Sequence, residues 1–148
     1  MDIEELLKSL NAHNVEFVII GATAFPIHGY ARTTLDIDIF IRPKPKNAVR
    51  TLNALRDFGY DTADITVEDL LTRKVLIRQY LVETDIHPFV SGITFDHVWK
   101  NRISGTFGKE KVYYASLDDL IVMKESAGRP KDLEDIKVLK TLKKKRNT

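Results

Sequence analysis

The chain has 148 residues, 43% apolar and 30% charged, a soluble globular composition that suits one folded domain with its own core. It has no cysteine, which excludes disulfides and thiolate metal sites. The formal charge is +2, but residues 140–148, KTLKKKRNT, hold five Lys or Arg and no acid, so the rest is net negative and is no basic nucleic-acid platform.

No early basic-then-apolar segment reads as a signal peptide, and no apolar run approaches the roughly 20 residues that span a bilayer. The expected location is the cytoplasm. The basic tail reads either as a solvated helix end or as a phosphate-contacting arm.

In chain order, DIEELLKSLNAHN places Ile3, Leu6, Leu7 and Leu10 on one helical face. VEFVII, residues 15–20, is a β-rich apolar run read as a buried strand. Gly21 ends it, and ATAFPIHG predicts a short helix closing at Gly29. LDIDIFI is the next strand, stopped by Pro43 and Pro45. PKNAVRTLNALRDFGY predicts an amphipathic helix with Val49, Leu52, Leu55 and Phe58 inward. Thr66 and Asp69 form a capping box for a helix over VEDLLTR. Two strands follow, near 74–79 and 81–87, then a short helix over FDHVWKN and a strand over KVYYA. Ser116 with Asp119 makes a second capping box before LDDLIVMKESAG. Gly128 and Pro130 break the chain, and KDLEDIKVLKTL closes it with Leu133, Ile136 and Leu139 or the Lys140 stem inward. The expected fold is one α/β (α+β) domain over 1–148, with a central mixed sheet flanked by helices, a core over about 15–90 and a helical C-terminal part over about 116–144.

In a strand, residues two apart share a face, roughly 6.5–7 Å apart along the chain. Asp36 and Asp38 therefore point one way, and Leu35, Ile37 and Ile39 point the other, toward the core. Two carboxylates so close call for a cation or else a raised pKa. Oxygen ligands of this kind suit Mg²⁺ or Mn²⁺, which take further ligands from phosphates. The plain alternative is a pair of solvent-facing acids on an edge strand. One element earlier, the turn at Gly21, Ala22 and Thr23 opens a helix, and free N–H groups at a helix start favour phosphate. Sequential strands tend to lie side by side, which would bring the two features together. In LVETDIHPF, alternation puts Glu83, Asp85 and His87 on one face. Asp85 is a third candidate carboxylate; His87 is either structural or a ligand.

Gly21-Ala22-x-Ala24, His28-Gly29 and Arg32-x-Thr34-x-Asp36-x-Asp38 together resemble the core signature of the DNA polymerase β-like nucleotidyltransferase superfamily. The run SLDDLIVMKESAGRPKDLEDIKVL is similar to that of small stand-alone members, among them minimal nucleotidyltransferases and relatives of the AbiEii toxin of type IV toxin–antitoxin systems. The resemblance covers about residues 15–140 and departs at Ala22, where the superfamily more often carries Gly or Ser. It implies a metal-dependent transfer of a nucleoside monophosphate from a nucleoside triphosphate to a hydroxyl acceptor. In that scheme Asp36, Asp38 and Asp85 hold Mg²⁺ (or Mn²⁺), and Asp85 helps activate the attacking hydroxyl. Gly21, Ala22, Thr23, Arg32, Lys124 and Arg129 become candidates for nucleotide contacts. Lys124 and Arg129 also fit a polar helix end with salt bridges, and Asp132 and Asp135 fit helix N-terminal acids. The acceptor is open: an RNA 3′ end, a protein or a small molecule, presented by a partner protein or across a homodimer. A second expectation is a catalytically weak or inactive nucleotide-binding or partner-binding module of the same fold.

Asp-x-Asp occurs in two other settings that fit less well. Metal-dependent glycosyltransferases need a nucleotide-sugar domain larger than this chain. In haloacid dehalogenase-like phosphatases the motif sits on the first strand with Thr or Val two residues on; here a strand precedes it and Phe40 stands in that place.

Overall fold

The structure is a computed structural model that describes residues 2–147. It opens with helix α1 (Ile3–Ala12), capped by Asp2, whose carboxylate accepts from the Glu5 N–H. Ile3, Leu6, Leu7 and Leu10 are its buried residues, as their spacing predicts. Strand β1 (Phe17–Ile20) is buried at every position. The segment after it is not one helix: Pro26 divides it into two 3₁₀ turns, Gly21–Ala24 and Pro26–His28, and Gly29 closes the second at φ 98°. A proline inside an α-helix would remove a ladder bond, which accounts for the split.

Strand β2 (Asp36–Ile41) and helix α2 (Pro45–Phe58) follow. Leu35 lies before the strand and is exposed rather than core. The inner face of α2 runs through Ala48, Thr51, Leu55 and Phe58, and Val49 points outward. Helix α3 (Val67–Thr72) carries the predicted reciprocal capping box of Thr66 and Asp69. Strands β3 (Val75–Ile77) and β4 (Glu83–His87) precede helix α4 (Phe95–Lys100). Strand β5 (Ile103–Phe107) is a hairpin partner of β6 (Glu110–Tyr114) and is absent from the sequence reading. No β5 side chain is fully buried, so it carries no apolar period to detect.

Helix α5 (Leu117–Ala127) is capped by Ser116, which accepts from the Asp119 N–H. The capping box there is one-sided, because the buried Asp119 carboxylate turns to His97 Nε2 at 3.2 Å. Helix α6 (Leu133–Arg146) closes the chain. Its inner face runs through Asp132, Asp135, Leu139 and Leu142, and Leu133 is exposed. Leu139 is buried and Ile136 half-buried as predicted, but Leu133 is exposed, because Asp132 and Asp135 occupy the inward positions of the first turn.

The six strands form one mixed sheet in the order β3-β4-β2-β1-β6-β5. β2 runs antiparallel to β1 and parallel to β4. The register divides the central strands cleanly. Phe17, Ile19, Ile37, Ile39, Ile41, Thr84 and Ile86 share one face and are buried. On the other face Phe40 packs edge-on against Phe95 of α4, their ring centres 5.1 Å apart, and Asp38, Asp85 and His87 share that face. No helix among the described residues is long and apolar enough to cross a membrane.

Candidate active site

Asp38 is directly paired with Asp85 across the parallel β2–β4 ladder, and Asp36 with Glu83. Partners in register project to the same face. A carboxylate pair read from one strand and a single acid 47 residues later therefore meet on one surface. Oxygen or nitrogen atoms of Asp38, Asp85 and His87 all lie within 4.8 Å of one another, close enough to hold one ion. Asp36, on the same face at the exposed start of β2, stands outside that group.

Each carboxylate is held differently. His87 Nε2 lies 2.8 Å from Asp38 Oδ1. A carboxylate only accepts, so this nitrogen carries the proton. The other oxygen, Oδ2, lies over Gly21: a Cβ added there would sit 2.6 Å from it, and Gly21 has φ 71°. Arg78 Nη1 lies 2.8 Å from Asp85 Oδ1. That oxygen is shielded from solvent and receives no aligned N–H, so it has a charge partner but an unused lone pair. Arg78 Nε also lies 3.6 Å from Glu83 Oε2. Contact with Asp85, and then the charges of Glu83 and Asp36, raise the Arg78 pKa against the opposing effect of desolvation. Arg78 follows β3 on the face of Leu76, which is paired with Asp85. Alternation in VLIR carries that direction, but the sequence alone holds no register from which to read it.

A divalent cation fits this set. Two carboxylates suit a hard ion, and Asp85 Oδ1 keeps a lone pair beside its ion pair with Arg78. The imidazole of His87 either orients Asp38 or replaces it as a nitrogen ligand, which would favour Mn²⁺ over Mg²⁺. The sequence left His87 open, and its partner on Asp38 becomes visible only with the register.

The nucleotide-contact candidates divide into two groups. Gly21 and Ala22 are in the first 3₁₀ turn, directly after β1. Thr23 is buried, and its hydroxyl donates to the Asp36 carbonyl at 2.8 Å, tying the turn to the start of β2. Arg32, Lys124 and Arg129 come together elsewhere, around the two buried aspartates of the last helical segment. Lys124 Nζ is 3.0 Å from Asp132 and 3.4 Å from Asp135. Arg129 Nε is 2.6 Å from Asp132. Arg32 Nη1 is 2.5 Å from Asp135, which also accepts from the Tyr30 hydroxyl at 3.0 Å. Arg129 and Lys124 hold the Asp132 carboxyl below its ordinary value against the desolvation that would raise it. Three cations face two acids, and Arg32 and Arg129 keep about half of their side chains in solvent. The cluster ties α5 and α6 to the segment that leads into Asp36.

The aromatic residues pack among themselves. Trp99 stacks on Phe95, meets Tyr113 edge-on and is covered by the Arg102 guanidinium at 4.0 Å, so its ring is a packing element. A cleft of about 420 Å³ between α5 and α6 includes Arg129 and Leu133 but none of the three site carboxylates. Another, of about 270 Å³, is lined by Arg73, Leu76, Arg78 and Gln79 and so borders the site through Arg78.

A comparison with curated proteins finds no match. Residues 1–144 match the model of a family described as nucleotidyltransferase of unknown function (DUF6036). With that match spanning nearly the whole chain, the protein belongs to this nucleotidyltransferase family.

Proposed function

We propose that the chain is one nucleotidyltransferase domain that moves a nucleoside monophosphate from a nucleoside triphosphate to a hydroxyl acceptor, with Asp36, Asp38 and Asp85 as its metal-binding acids. The observation that carries this reading is the register pairing of Asp38 with Asp85, which sets two carboxylates and His87 within reach of one ion. The acceptor oxygen bonds to the α-phosphorus, the bond from that phosphorus to the bridging oxygen breaks, and pyrophosphate leaves. The bound divalent ion, Mg²⁺ or Mn²⁺, supplies charge stabilisation for the phosphates and a lower pKa for the attacking hydroxyl. Asp38, fixed by His87, sets the position of the site, and Asp36 extends the same face toward solvent. Asp85 faces the acceptor side and favours loss of the hydroxyl proton. The Gly21–Ala22 backbone receives phosphate oxygens, since Ala22 offers no hydroxyl and that of Thr23 is tied to Asp36. Arg32, Lys124 and Arg129 pair with Asp132 and Asp135 and leave one net positive charge toward the triphosphate, carried by the half-exposed Arg32 and Arg129.

The acceptor class is an RNA 3′ end, a protein hydroxyl or a small molecule, delivered by a partner protein or a second copy. The α5–α6 run resembles that of small stand-alone members, among them minimal nucleotidyltransferases and relatives of the AbiEii toxin, and a role in a toxin–antitoxin system would fit the partner-protein version. The test is pyrophosphate release from a mixture of the four ribonucleoside triphosphates, with Mg²⁺ or Mn²⁺ and a cell lysate as acceptor source. Metal-dependent labelling of one lysate species that is lost in Asp38→Asn supports the reading. Nucleotide binding with no transfer to any species would leave the binding module instead.

A further inference from the structure

Arg78 faces three carboxylates, on Asp85, Glu83 and Asp36, from the connection between β3 and β4. Its backbone is anchored independently of them. Gln79 exchanges two hydrogen bonds of 2.7 Å with the Asp61 backbone, and the Tyr80 hydroxyl donates to the Gly59 carbonyl at 2.6 Å. Arg78 adds only long contacts to the hairpin backbone, from Nη1 to the Ile77 carbonyl at 3.2 Å and to the Thr84 carbonyl at 3.5 Å, and partly exposed ion pairs contribute little to stability. The side chain is 42% exposed, so it has room to rotate away from Asp85.

We propose that Arg78 is the resident counter-ion of the metal site and makes ion binding conditional on the triphosphate, a role that rests on the reading of Asp38 and Asp85 as metal ligands. A divalent ion on Asp85 Oδ1 would stand beside the guanidinium, and like charges at that range repel strongly. An ion arriving alone must displace Arg78 from Asp85 and leave it only the more distant Glu83 carboxylate, 3.6 Å from Nε. An ion arriving with a triphosphate brings negative oxygens, and a guanidinium pairs with phosphate in the same forked geometry it uses for carboxylates. Release of Asp85 is then compensated, and ion and nucleotide bind cooperatively.

The test is Mn²⁺ binding to the full chain, followed by electron paramagnetic resonance of free Mn²⁺. It is run without nucleotide and with a mixture of the four α,β-methylene ribonucleoside triphosphates. Arg78→Gln is expected to bind Mn²⁺ alone about tenfold more tightly than wild type, because a repelling charge is gone. Arg78→Lys, which keeps the charge, is expected to return toward the wild-type affinity. The analogue mixture should tighten Mn²⁺ binding strongly in wild type and little in Arg78→Gln. Equal Mn²⁺ affinity in wild type and Arg78→Gln, with binding abolished in Asp38→Asn, overturns the counter-ion role and leaves the metal site standing. Mn²⁺ binding unaffected by Asp38→Asn and Asp85→Asn overturns both. In wild type, the Arg78 Nε–H resonance should shift on Mg²⁺ addition; an unmoved signal once the ion fills the site overturns the proposal without any variant.

Discussion

Gly21 and Asp38 are in direct contact across the β1–β2 pair: a Cβ on Gly21 would lie 2.6 Å from Asp38 Oδ2, and the Gly21 backbone has φ 71°. The glycine is thus required twice, by its own conformation and by the carboxylate lying over it. Gly21→Ala is expected to lose about 1–2 kcal/mol of stability from the left-handed backbone alone. It should also force the Asp38 carboxylate out of its present position. Urea unfolding measures the first effect. The added thermal stabilisation by Mn²⁺ plus nucleoside triphosphates measures the second, and a stable Gly21→Ala protein that keeps it would show that Asp38 tolerates the displacement.

Asp38 and Asp85 should separate in kinetics. If Asp85 acts chiefly on the acceptor, its contribution appears in the transition state and not in nucleotide affinity. Asp85→Asn is expected to cut transfer by about 10² or more, far beyond any loss of nucleotide binding through the ion. Asp38→Asn should damage both. Single-turnover transfer and nucleotide affinity, measured on both folded variants, decide the matter; wild-type transfer in Asp85→Asn would leave a two-carboxylate site.

What the sequence reveals follows burial. The α1 face, the β1 and β2 runs and the Thr66–Asp69 box were legible because each is local: a period, or a cap within one turn. The shared face of Asp36 and Asp38 was legible for the same reason. The neighbourhood of Asp85 was not, because only the β2–β4 register places Arg78 and His87 around the acids. The start of the α6 face was misread because charge replaces hydrophobicity there: Asp132 and Asp135 are buried by pairing with Lys124, Arg129 and Arg32. A pattern that counts only apolar residues reads Leu133 as inward, and it is exposed.

That buried network makes a stability prediction. Asp132 is 2% exposed and bonds both Lys124 and Arg129. Removing one member of a buried pair leaves a desolvated charge behind, at a typical cost of 3–5 kcal/mol. Lys124 retains Asp135 at 3.4 Å, and Arg129 is half exposed, so Asp132→Ala is expected to cost about 2–3 kcal/mol, below that range. Its folded pKa is depressed, so the stability it contributes is present above pH 3.8 and lost as pH falls through the folded value. Chemical denaturation of wild type and Asp132→Ala at pH 7 and near pH 3 should therefore show a gap that narrows in acid.

His28 supplies the opposite check near neutrality. It is buried, its Nε2 lies 2.8 Å from the Ala115 carbonyl, and Arg146 Nη2 lies 3.1 Å from Nδ1. The carbonyl can only accept and the guanidinium can only donate, so Nε2 carries the proton and Nδ1 is the acceptor. A second proton would remove the Arg146 bond and place two cations together. Burial is the largest cause lowering the His28 pKa below 6.5; the bond to Ala115 opposes it, and Arg146 lowers it further. The unfolded chain then takes up a proton near pH 6.5 that the folded chain refuses, so stability falls as pH drops below 6.5 and levels off beneath the folded value. One such group contributes a slope of at most about 1.4 kcal/mol per pH unit. His28→Gln removes the titration and is expected to be less stable than wild type at pH 7.5 by about 1–3 kcal/mol, the cost of disturbed buried hydrogen bonds. Its loss on moving to pH 5.5 should be smaller than that of wild type. Contributions from His13, His87 and His97 are common to both proteins and cancel in the comparison. Parallel pH profiles for the two proteins would mean that the folded chain accepts the proton on His28, and that Arg146 yields its place.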